Sequence, residues 1–193
     1  DIYGLEAVFP VADTSIGRIA AIASEEILYP EIARAHAIRG AEVFLHSTSE
    51  VASPNLTIKQ IARRARALEN LAYVVSANTA ALHGIDVPVD SSNGYSDVID
   101  YHGNQMVVAG LGNSSVANTF LDMAGLRAYR RRPAMSNMLS RQALDLFAES
   151  YAKADLRRRN GLLQGDKVMI PDRAYFQQRQ ADAIARMTER GIL

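Results

Sequence analysis

The stretch from Ile16 to Glu42 constrains the fold most, because it joins a buried strand to a helix through a short polar turn. Residues 19–23 form an unbroken apolar run, as expected of a strand that is covered on both faces. Pro30 suits the first turn of the following helix, and Gly40 suits the position just after its end. Open α/β sheets place their chemistry where such a strand meets such a helix. The polar residue at that point is Ser24.

Further strands are predicted on both sides of a long central loop. Residues 42–45 and 71–77 predict two more buried strands, and residues 96–109 predict a hairpin that turns at Gly103 and Asn104. A third strand of this meander is predicted at residues 119–122. The sequence therefore indicates an α/β fold.

The helical segments are predicted from their caps and their periodicity. One helix is predicted to begin with Ser53 as its N-cap and Pro54 at its first position. Its apolar face is predicted to contain Ile58, Ile61, Ala62, Ala65 and Leu68. Two C-terminal helices are predicted over residues 138–158 and, capped by Asp172, over residues 173–190.

The predicted helices are too few to cover both faces of the predicted sheet. The strands are apolar on both faces, whereas the two early helices can cover only one face. Either the C-terminal segment folds back over the other face, or a further polypeptide covers it.

Composition excludes several classes of function. The 193 residues balance 21 basic against 21 acidic side chains, which gives no electrostatic reason to expect nucleic acid or an anionic membrane. The arginine runs 130–132 and 157–159 are accordingly expected to be solvated or to form salt bridges between subunits. No apolar run is long enough to span a bilayer and no signal peptide opens the chain, so a cytoplasmic location is expected. Without cysteine, and with four histidines that lack ligand spacing, neither a metal nor a cofactor is predicted.

The segment around Ser24 resembles the nucleophile segment of the carbon–nitrogen hydrolases of the nitrilase superfamily. The residues in register with that family are Ile16, Gly17, Ile19, Glu26, Tyr29, Pro30, Glu31, Arg34, Gly40, Ala41 and Glu42. Downstream, residues 66–70 and the spaced residues Gly94, Ser96, Asp100 and Gly103 also match, and the resemblance covers roughly residues 8–150.

The resemblance implies a nitrilase-like α-β-β-α sandwich, four-layered on dimerisation, of which this chain resembles the C-terminal half. Residues 1–150 would then be the C-terminal portion of the hydrolase domain, and the uncovered face would belong to a missing N-terminal half or a companion chain. Residues 151–193 would form a helical extension that contacts another subunit of a homo-oligomer.

The resemblance also implies a chemistry. Family members attack a small amide, carbamoyl compound or nitrile with a cysteine thiolate, while a glutamate acts as general base and a lysine stabilises the oxyanion. The register places Ser24 where the family has this cysteine. The family's glutamate and lysine lie upstream of the nucleophile, whereas Lys59, Lys153 and Lys167 all lie downstream of Ser24. The chain alone is therefore not expected to catalyse the family reaction.

Three interpretations of Ser24 remain open. It is a replacement introduced to trap substrate, a natural loss of the nucleophile, or a hydroxyl that satisfies backbone groups at the strand end. A working serine nucleophile is disfavoured, because a serine hydroxyl is harder to ionise than a thiol. The alternative function is a catalytically dead homologue that binds a ligand or a partner protein.

The neighbouring polar residues receive two kinds of role. Glu25, Tyr29, His46 and Thr48 are predicted to bind substrate, although Tyr29 also suits a core or interface position and His46 also suits a structural hydrogen-bond donor. A second group is predicted to build the turn and the helix start, with Glu26 accepting hydrogen bonds from loop amides. It consists of Glu26, Pro30, Glu31 and Arg34.

Overall fold

The computed structural model describes residues 4–92, 94–111, 114–154, 156–157 and 160–193. The chain divides into two compact units, residues 1–142 and residues 143–193. The strands of the first unit are β1 (Ala12–Thr14), β2 (Gly17–Ala23), β3 (Val43–Thr48), β4 (Tyr73–Asn78), β5 (Asp97–Ile99) and β6 (Gln105–Val108). Its helices are α1 (Leu5–Val8), α2 (Pro30–Ile38), α3 (Ile58–Asn70) and α4 (Met123–Arg131), with 3-10 turns at Ser24–Leu28 and Val89–Ser91.

The six strands form one mixed sheet in the order β1 to β6. β2, β3 and β4 run parallel at its centre, and the flanking pairs are antiparallel. The parallel register aligns Ala20, Phe44 and Val74 across the centre of one face. The strands predicted near residues 19–23, 42–45 and 71–77 are confirmed, as is the hairpin at residues 96–109.

One face of the sheet packs against α2 and α3. Small side chains dominate this core, so the helices can lie close to the sheet. Its buried members include Ala20, Ile22, Phe44 and Val74 from the sheet and Ala33, Ala37, Ala62 and Ala67 from the helices. Pro30 lies at the first position of α2, and Gly40 follows its end with φ 95°, a conformation that glycine adopts without strain.

The opposite face of the sheet is only partly covered within this unit. Leu126 of α4 packs there against Val43 and Tyr73. Farther along the same face Leu45 is 44% exposed, and a cavity of about 350 Å³ lies against Ile19, Val43 and other apolar side chains. The first unit by itself therefore buries the centre of one apolar face under α2 and α3 and leaves part of the other open.

The start of α3 differs from the prediction. The helix begins at Ile58, and Thr57 is its N-cap rather than Ser53. The Thr57 hydroxyl accepts a hydrogen bond from the amide of Gln60 (3.2 Å), and the Gln60 side chain accepts one from the amide of Thr57 (2.9 Å). This reciprocal pair outweighs the single cap that the Ser-Pro sequence offered.

Of the apolar face predicted for α3, Ala62 is buried, but the large side chains are not. Ile58, Ile61 and Leu68 are exposed. The buried residues of the helix are Lys59, Ala62, Arg63, Arg66, Ala67 and Asn70. The prediction was wrong because the strands beneath α3 carry buried hydroxyls and carboxylates, and buried charges need partners of opposite sign.

Three smaller predictions are corrected. Residues 119–122 form no strand, because the Asp122 side chain caps α4 by accepting a hydrogen bond from the amide of Gly125 (2.8 Å). Arg130 is not solvated: its guanidinium donates to the carbonyls of Leu71 (2.7 Å) and Ala41 (2.6 Å), and burial lowers its pKa to about 10. Of the second arginine run, residues 158 and 159 lie outside the described residues.

The second unit contains α5 (Leu144–Ala154), the short strands β7 (Leu163–Gln164) and β8 (Lys167–Val168), and α6 (Arg173–Glu189). α5 begins six residues later than predicted, whereas α6 and its Asp172 cap are confirmed. The boundary between the units follows residue 142, compared with the predicted boundary after residue 150. Across the described ranges, no helix combines the length and apolarity that a bilayer crossing requires.

Candidate active site

Ser24 lies at the carboxyl end of β2, in the turn that leads to α2. Its backbone has φ 42°, in the left-handed region that residues other than glycine rarely adopt. On one side of the turn, Glu26 Oε2 accepts a hydrogen bond from the amide of Ala23 (2.7 Å). On the other side, His46 Nε2 lies 3.0 Å from the carbonyl oxygen of Ser24. Strained backbone conformations at strand tips recur at functional sites, which makes Ser24 a candidate site residue.

The hydrogen bonds of His46 indicate which of its nitrogens carries the proton. Ser76 Oγ accepts a hydrogen bond from Arg63 Nη1 (2.6 Å), so its own proton is free to be donated to His46 Nδ1, 2.8 Å away. Nε2–H then donates to the carbonyl of Ser24, and the neutral ring satisfies both contacts. Burial lowers the pKa of His46, and the positive charges of Arg63 and Lys59 act in the same direction. His46 therefore positions the Ser24 backbone as a neutral donor.

A lysine lies directly against the Ser24 hydroxyl. Lys59 Nζ is 3.1 Å from Ser24 Oγ, 3.3 Å from Thr48 Oγ1 and 2.7 Å from Glu25 Oε1. The lysine side chain is 9% exposed, whereas that of Glu25 is 68% exposed. The cluster thus joins a hydroxyl, an amine and a carboxylate in one chain of contacts.

Behind this cluster lies a buried group of charges centred on Arg63, whose side chain is 1% exposed. Arg63 Nη1 donates to Asp97 Oδ1 (2.9 Å), and Nη2 is 3.4 Å from Glu50 Oε1. Burial raises the pKa of Asp97, while Arg63 and a hydrogen bond from Gln105 oppose the rise. Asp97 and Glu50 are paired with Arg63, so Lys59 is not needed to neutralise them.

A cavity of about 480 Å³ adjoins the site. It is lined by residues 50–57 and by Gln60, Asn78, Tyr95 and Leu111. Glu50 belongs to both the cavity wall and the charge group, and the Thr57 hydroxyl, also in the wall, hydrogen-bonds to it. Ser24 is not part of the lining.

The predicted site residues separate into two places. Ser24, Glu25, His46 and Thr48 lie together at the carboxyl ends of β2 and β3. Tyr29 is 56% exposed at the start of α2. Pro30 and Glu31 form the first turn of that helix, and Arg34 lies farther along it, where burial lowers its pKa and Glu69 opposes the effect. The roles of these residues stay predictions.

The residues that sequence analysis missed come mainly from α3. Lys59, Arg63, Arg66 and Asn70 are spaced by four, three and four residues, which is the spacing of one helical face. That polar stripe is visible in the sequence, but the apolar stripe beside it gives the stronger signal of a buried face. The polar stripe includes Lys59, which lies against Ser24. Within the described part of the chain, no three His, Asp or Glu side chains gather in a way that would hold a metal ion.

The strain at Ser24 yields a prediction of stability. We expect the Ser24→Gly variant to have a free energy of unfolding about 1 kcal/mol greater than that of Ser24→Ala. Both variants lose the contact with Lys59, but only alanine keeps a Cβ in the left-handed conformation. Urea unfolding followed by circular dichroism measures the difference. Equal stability of the two variants would show that the turn stores no strain.

Comparisons with known proteins identify the family and the fold of this chain. Residues 4–131 match the family model described as carbon–nitrogen hydrolase. The chain is 33% identical over 97 residues, half of its length, to the nitrilase and fragile histidine triad fusion protein NitFhit of Caenorhabditis elegans, of which the match covers 21%.

Solved structures extend the comparison. A carbon–nitrogen hydrolase from Helicobacter pylori matches with a TM-score of 0.60 and 18% identity, over 74% of this chain and 52% of the other. The NitN amidase of Nesterenkonia sp. AN1 matches with a TM-score of 0.58 and 21% identity, over 73% of this chain and 48% of the other. The chain thus has a nitrilase-like α/β fold, and it spans about half the length of these structures.

Proposed function

The chain belongs to the carbon–nitrogen hydrolase family, and we propose that it carries the nucleophile-bearing part of a site that hydrolyses a small amide, a carbamoyl compound or a nitrile. The observation that supports this most is the left-handed turn of Ser24 at the tip of β2. A merely structural serine at a strand end has no need of a strained backbone, whereas a nucleophile must project its side chain toward a substrate. The contacts of Glu26 and His46 on either side would keep that projection fixed.

In a form with cysteine at position 24, the reaction would be a two-step acyl transfer. With an amide, the thiolate would add to the carbonyl carbon, the nitrogen would leave as ammonia or an amine, and water would release the acid from the thioester. With a nitrile, addition would give a thioimidate, one water would convert it to the thioester with loss of ammonia, and a second water would release the acid. Small aliphatic amides are a reasonable first substrate class, because one variant of the Nesterenkonia amidase binds butyramide. By the family mechanism alone, serine in place of cysteine would leave this chain inactive.

We also propose that a further polypeptide segment completes the site. The open part of the sheet face beyond α4, with Leu45 and the cavity against Ile19 and Val43, is apolar surface of the kind that a second layer covers. An upstream half or a companion chain would supply that layer together with the family's glutamate and lysine. A homo-oligomer built through residues 151–193 and a cytoplasmic location belong to the same proposal.

A second candidate is a homologue that binds a ligand or a partner protein without turning it over. It is favoured by one observation, the serine at the nucleophile position. The two candidates differ in what the upstream segment should contain: a family-type glutamate and lysine under the first, and replacements of one or both under the second.

The test is the Ser24→Cys variant of the full-length protein. We expect it to release ammonia from at least one member of a panel of acetamide, butyramide, N-carbamoyl amino acids and simple nitriles. Ser24→Ala serves as the matched control and should release none. A folded Ser24→Cys variant without turnover on the whole panel would exclude the hydrolase and leave the binding protein.

A further inference from the structure

A lysine at position 59 does not stabilise α3. It is the second residue of α3, and a cation in the first turn of a helix lies against the positive end of the helix dipole. Its side chain is almost fully buried, although burying an ammonium carries a desolvation penalty and a loss of rotamer freedom. The acids deeper in the site already pair with Arg63. The burial of Lys59 therefore depends on the groups that its ammonium contacts.

Those groups are the hydroxyl of Ser24, the hydroxyl of Thr48 and the carboxylate of Glu25. An ammonium has three N–H donors, and the three oxygens lie at 3.1, 3.3 and 2.7 Å, so each donor has one acceptor. An ammonium can take the Ser24 proton only after it has passed one of its own to an acceptor, and Glu25, 2.7 Å from Nζ, is such an acceptor. Lysine is a known partner of nucleophilic serine on other folds.

We propose that Ser24, Lys59 and Glu25 form a catalytic triad, contained in this chain, that makes the serine a working oxygen nucleophile. The proposal rests on the proposed function, because it concerns the same site and the same class of acyl donor. It supplies from downstream residues the amine and the carboxylate that the family places upstream. Under it, the serine is not a remnant of a lost cysteine.

The acylation step balances within the triad and the substrate. Ser24 Oγ forms a bond to the acyl carbon, and the π electron pair of the carbonyl moves to its oxygen. Lys59 Nζ gives one of its protons to Glu25 and takes the Ser24 proton in its place. When the tetrahedral intermediate collapses, the C–N bond breaks and the proton returns through Lys59 to the leaving nitrogen. A water molecule then cleaves the acyl ester by the same proton transfers in reverse order.

Fixed geometry favours this step for an oxygen nucleophile. The contacts of Glu26 and His46 hold the backbone at Ser24 in one conformation, which fixes the direction of its Cα–Cβ bond, and its Oγ lies 3.1 Å from Lys59 Nζ. Thr48 takes the third donor of Lys59 and fixes the direction of the amine. The exposed Glu25 can exchange its proton with solvent.

The experiment measures acylation of the 193-residue chain by p-nitrophenyl acetate, a probe whose leaving group needs no protonation. We expect a burst of p-nitrophenolate, with the acetyl group located on Ser24 by peptide mass spectrometry. Lys59→Met should slow the burst at least 100-fold, as expected for loss of a general base, and Glu25→Gln should slow it less. Addition of methylamine should restore part of the rate to Lys59→Ala, which a purely structural role of the lysine would not allow.

The control is Lys153→Met, which removes the lysine of an exposed ion pair with Glu149 (2.5 Å) in the other unit and should leave the burst unchanged. Circular dichroism establishes that each variant is folded. Acetylation of Ser24 at equal rates in the Lys59→Met variant, acetylation of Lys59 itself, or no acetylation of the folded chain would each overturn the triad.

The outcomes separate this proposal from the proposed function. If the Ser24→Cys protein hydrolyses amides but the native serine is never acylated, only the triad fails. If the native serine is acylated in a manner that depends on Lys59, but neither form hydrolyses any member of the amide and nitrile panel, only the proposed function fails.

Discussion

Replacement of Arg63 by methionine is expected to lower the free energy of unfolding by about 3–5 kcal/mol, which is the usual effect of removing one partner from a buried ion pair. Methionine fills a similar volume but leaves the carboxylates of Asp97 and Glu50 without their cation. It also removes the hydrogen bond from Arg63 to Ser76 Oγ, and Ser76 is the hydrogen-bond partner of His46 Nδ1. Urea unfolding of the wild type and the variant, followed by circular dichroism at pH 7, measures the loss.

Two further variants isolate the cause of that loss. The triple variant Arg63→Met, Asp97→Asn, Glu50→Gln should recover much of the stability, because it removes the unpaired charges along with the cation. Arg64→Met, on the neighbouring and less buried position of α3, should change the free energy by less than about 1 kcal/mol. If Arg63→Met alone costs no more than Arg64→Met, the buried charge group contributes nothing to stability.

The pH dependence of the Arg63→Met variant has a definite sign. Burial already raises the pKa of Asp97, and loss of Arg63 removes the largest opposing influence. A carboxyl group whose pKa is raised in the folded state destabilises that state while it is ionised, and the penalty disappears as the pH falls through the raised pKa. The difference between wild type and variant should therefore shrink on acidification.

The sheet could be predicted from the sequence because its strands are marked by local patterns of apolar residues and by a turn between two of them. Residues 19–23 and 73–75 are apolar without interruption, and the Gly103-Asn104 turn joins the two strands of a hairpin. The turn at Ser24 could be placed for the same reason, since it lies between a clear strand and a proline that begins a helix. These features are local in the sequence.

The side-chain arrangement at the site could not be predicted in the same way, because it depends on partners far apart in the chain. Lys59 meets Ser24 across 35 residues, and Arg63 meets Asp97 across 34. Periodicity marks two stripes on α3, one apolar and one polar, and it does not state which stripe faces the sheet. That choice was decided by the buried hydroxyl of Ser76 and the carboxylates of Asp97 and Glu50, which require donors and cations.

The second prediction concerns Glu42, the residue before β3, whose side chain is hydrogen-bonded to Arg127 of α4. Its carboxylate accepts hydrogen bonds from Arg127 Nε (2.6 Å) and Nη2 (2.8 Å) and from the amide of Arg18 (3.0 Å). The side-chain hydrogen bonds from Arg127 lower its pKa from 4.5 to about 2, against the opposing effect of burial. A pKa lowered this far corresponds to about 3 kcal/mol for an unscreened pair. Because the Arg127 side chain is 46% exposed, we expect about half of that.

Glu42→Gln should therefore lower the free energy of unfolding by about 1.5 kcal/mol at pH 7. A carboxyl group with a depressed pKa contributes stability that is complete above its unfolded-state pKa and is lost as the pH falls toward the folded-state value. The difference between wild type and variant should persist down to about pH 5 and decline between 4.5 and about 2. Unfolding by urea at a series of pH values measures it.

Substitution of Arg127 and of Arg131, two of the three arginines of α4, supplies the control. Arg127→Met should reproduce both the loss at pH 7 and its decline in acid, and the double variant with Glu42→Gln should be little worse than either single variant, because both remove one interaction. Arg131, exposed on the same helix, should tolerate methionine at every pH. A difference between wild type and Glu42→Gln that stays constant from pH 7 to pH 2.5 would mean that glutamine disturbs the packing of α4. In that case the ion pair would not be what fastens this helix to the sheet.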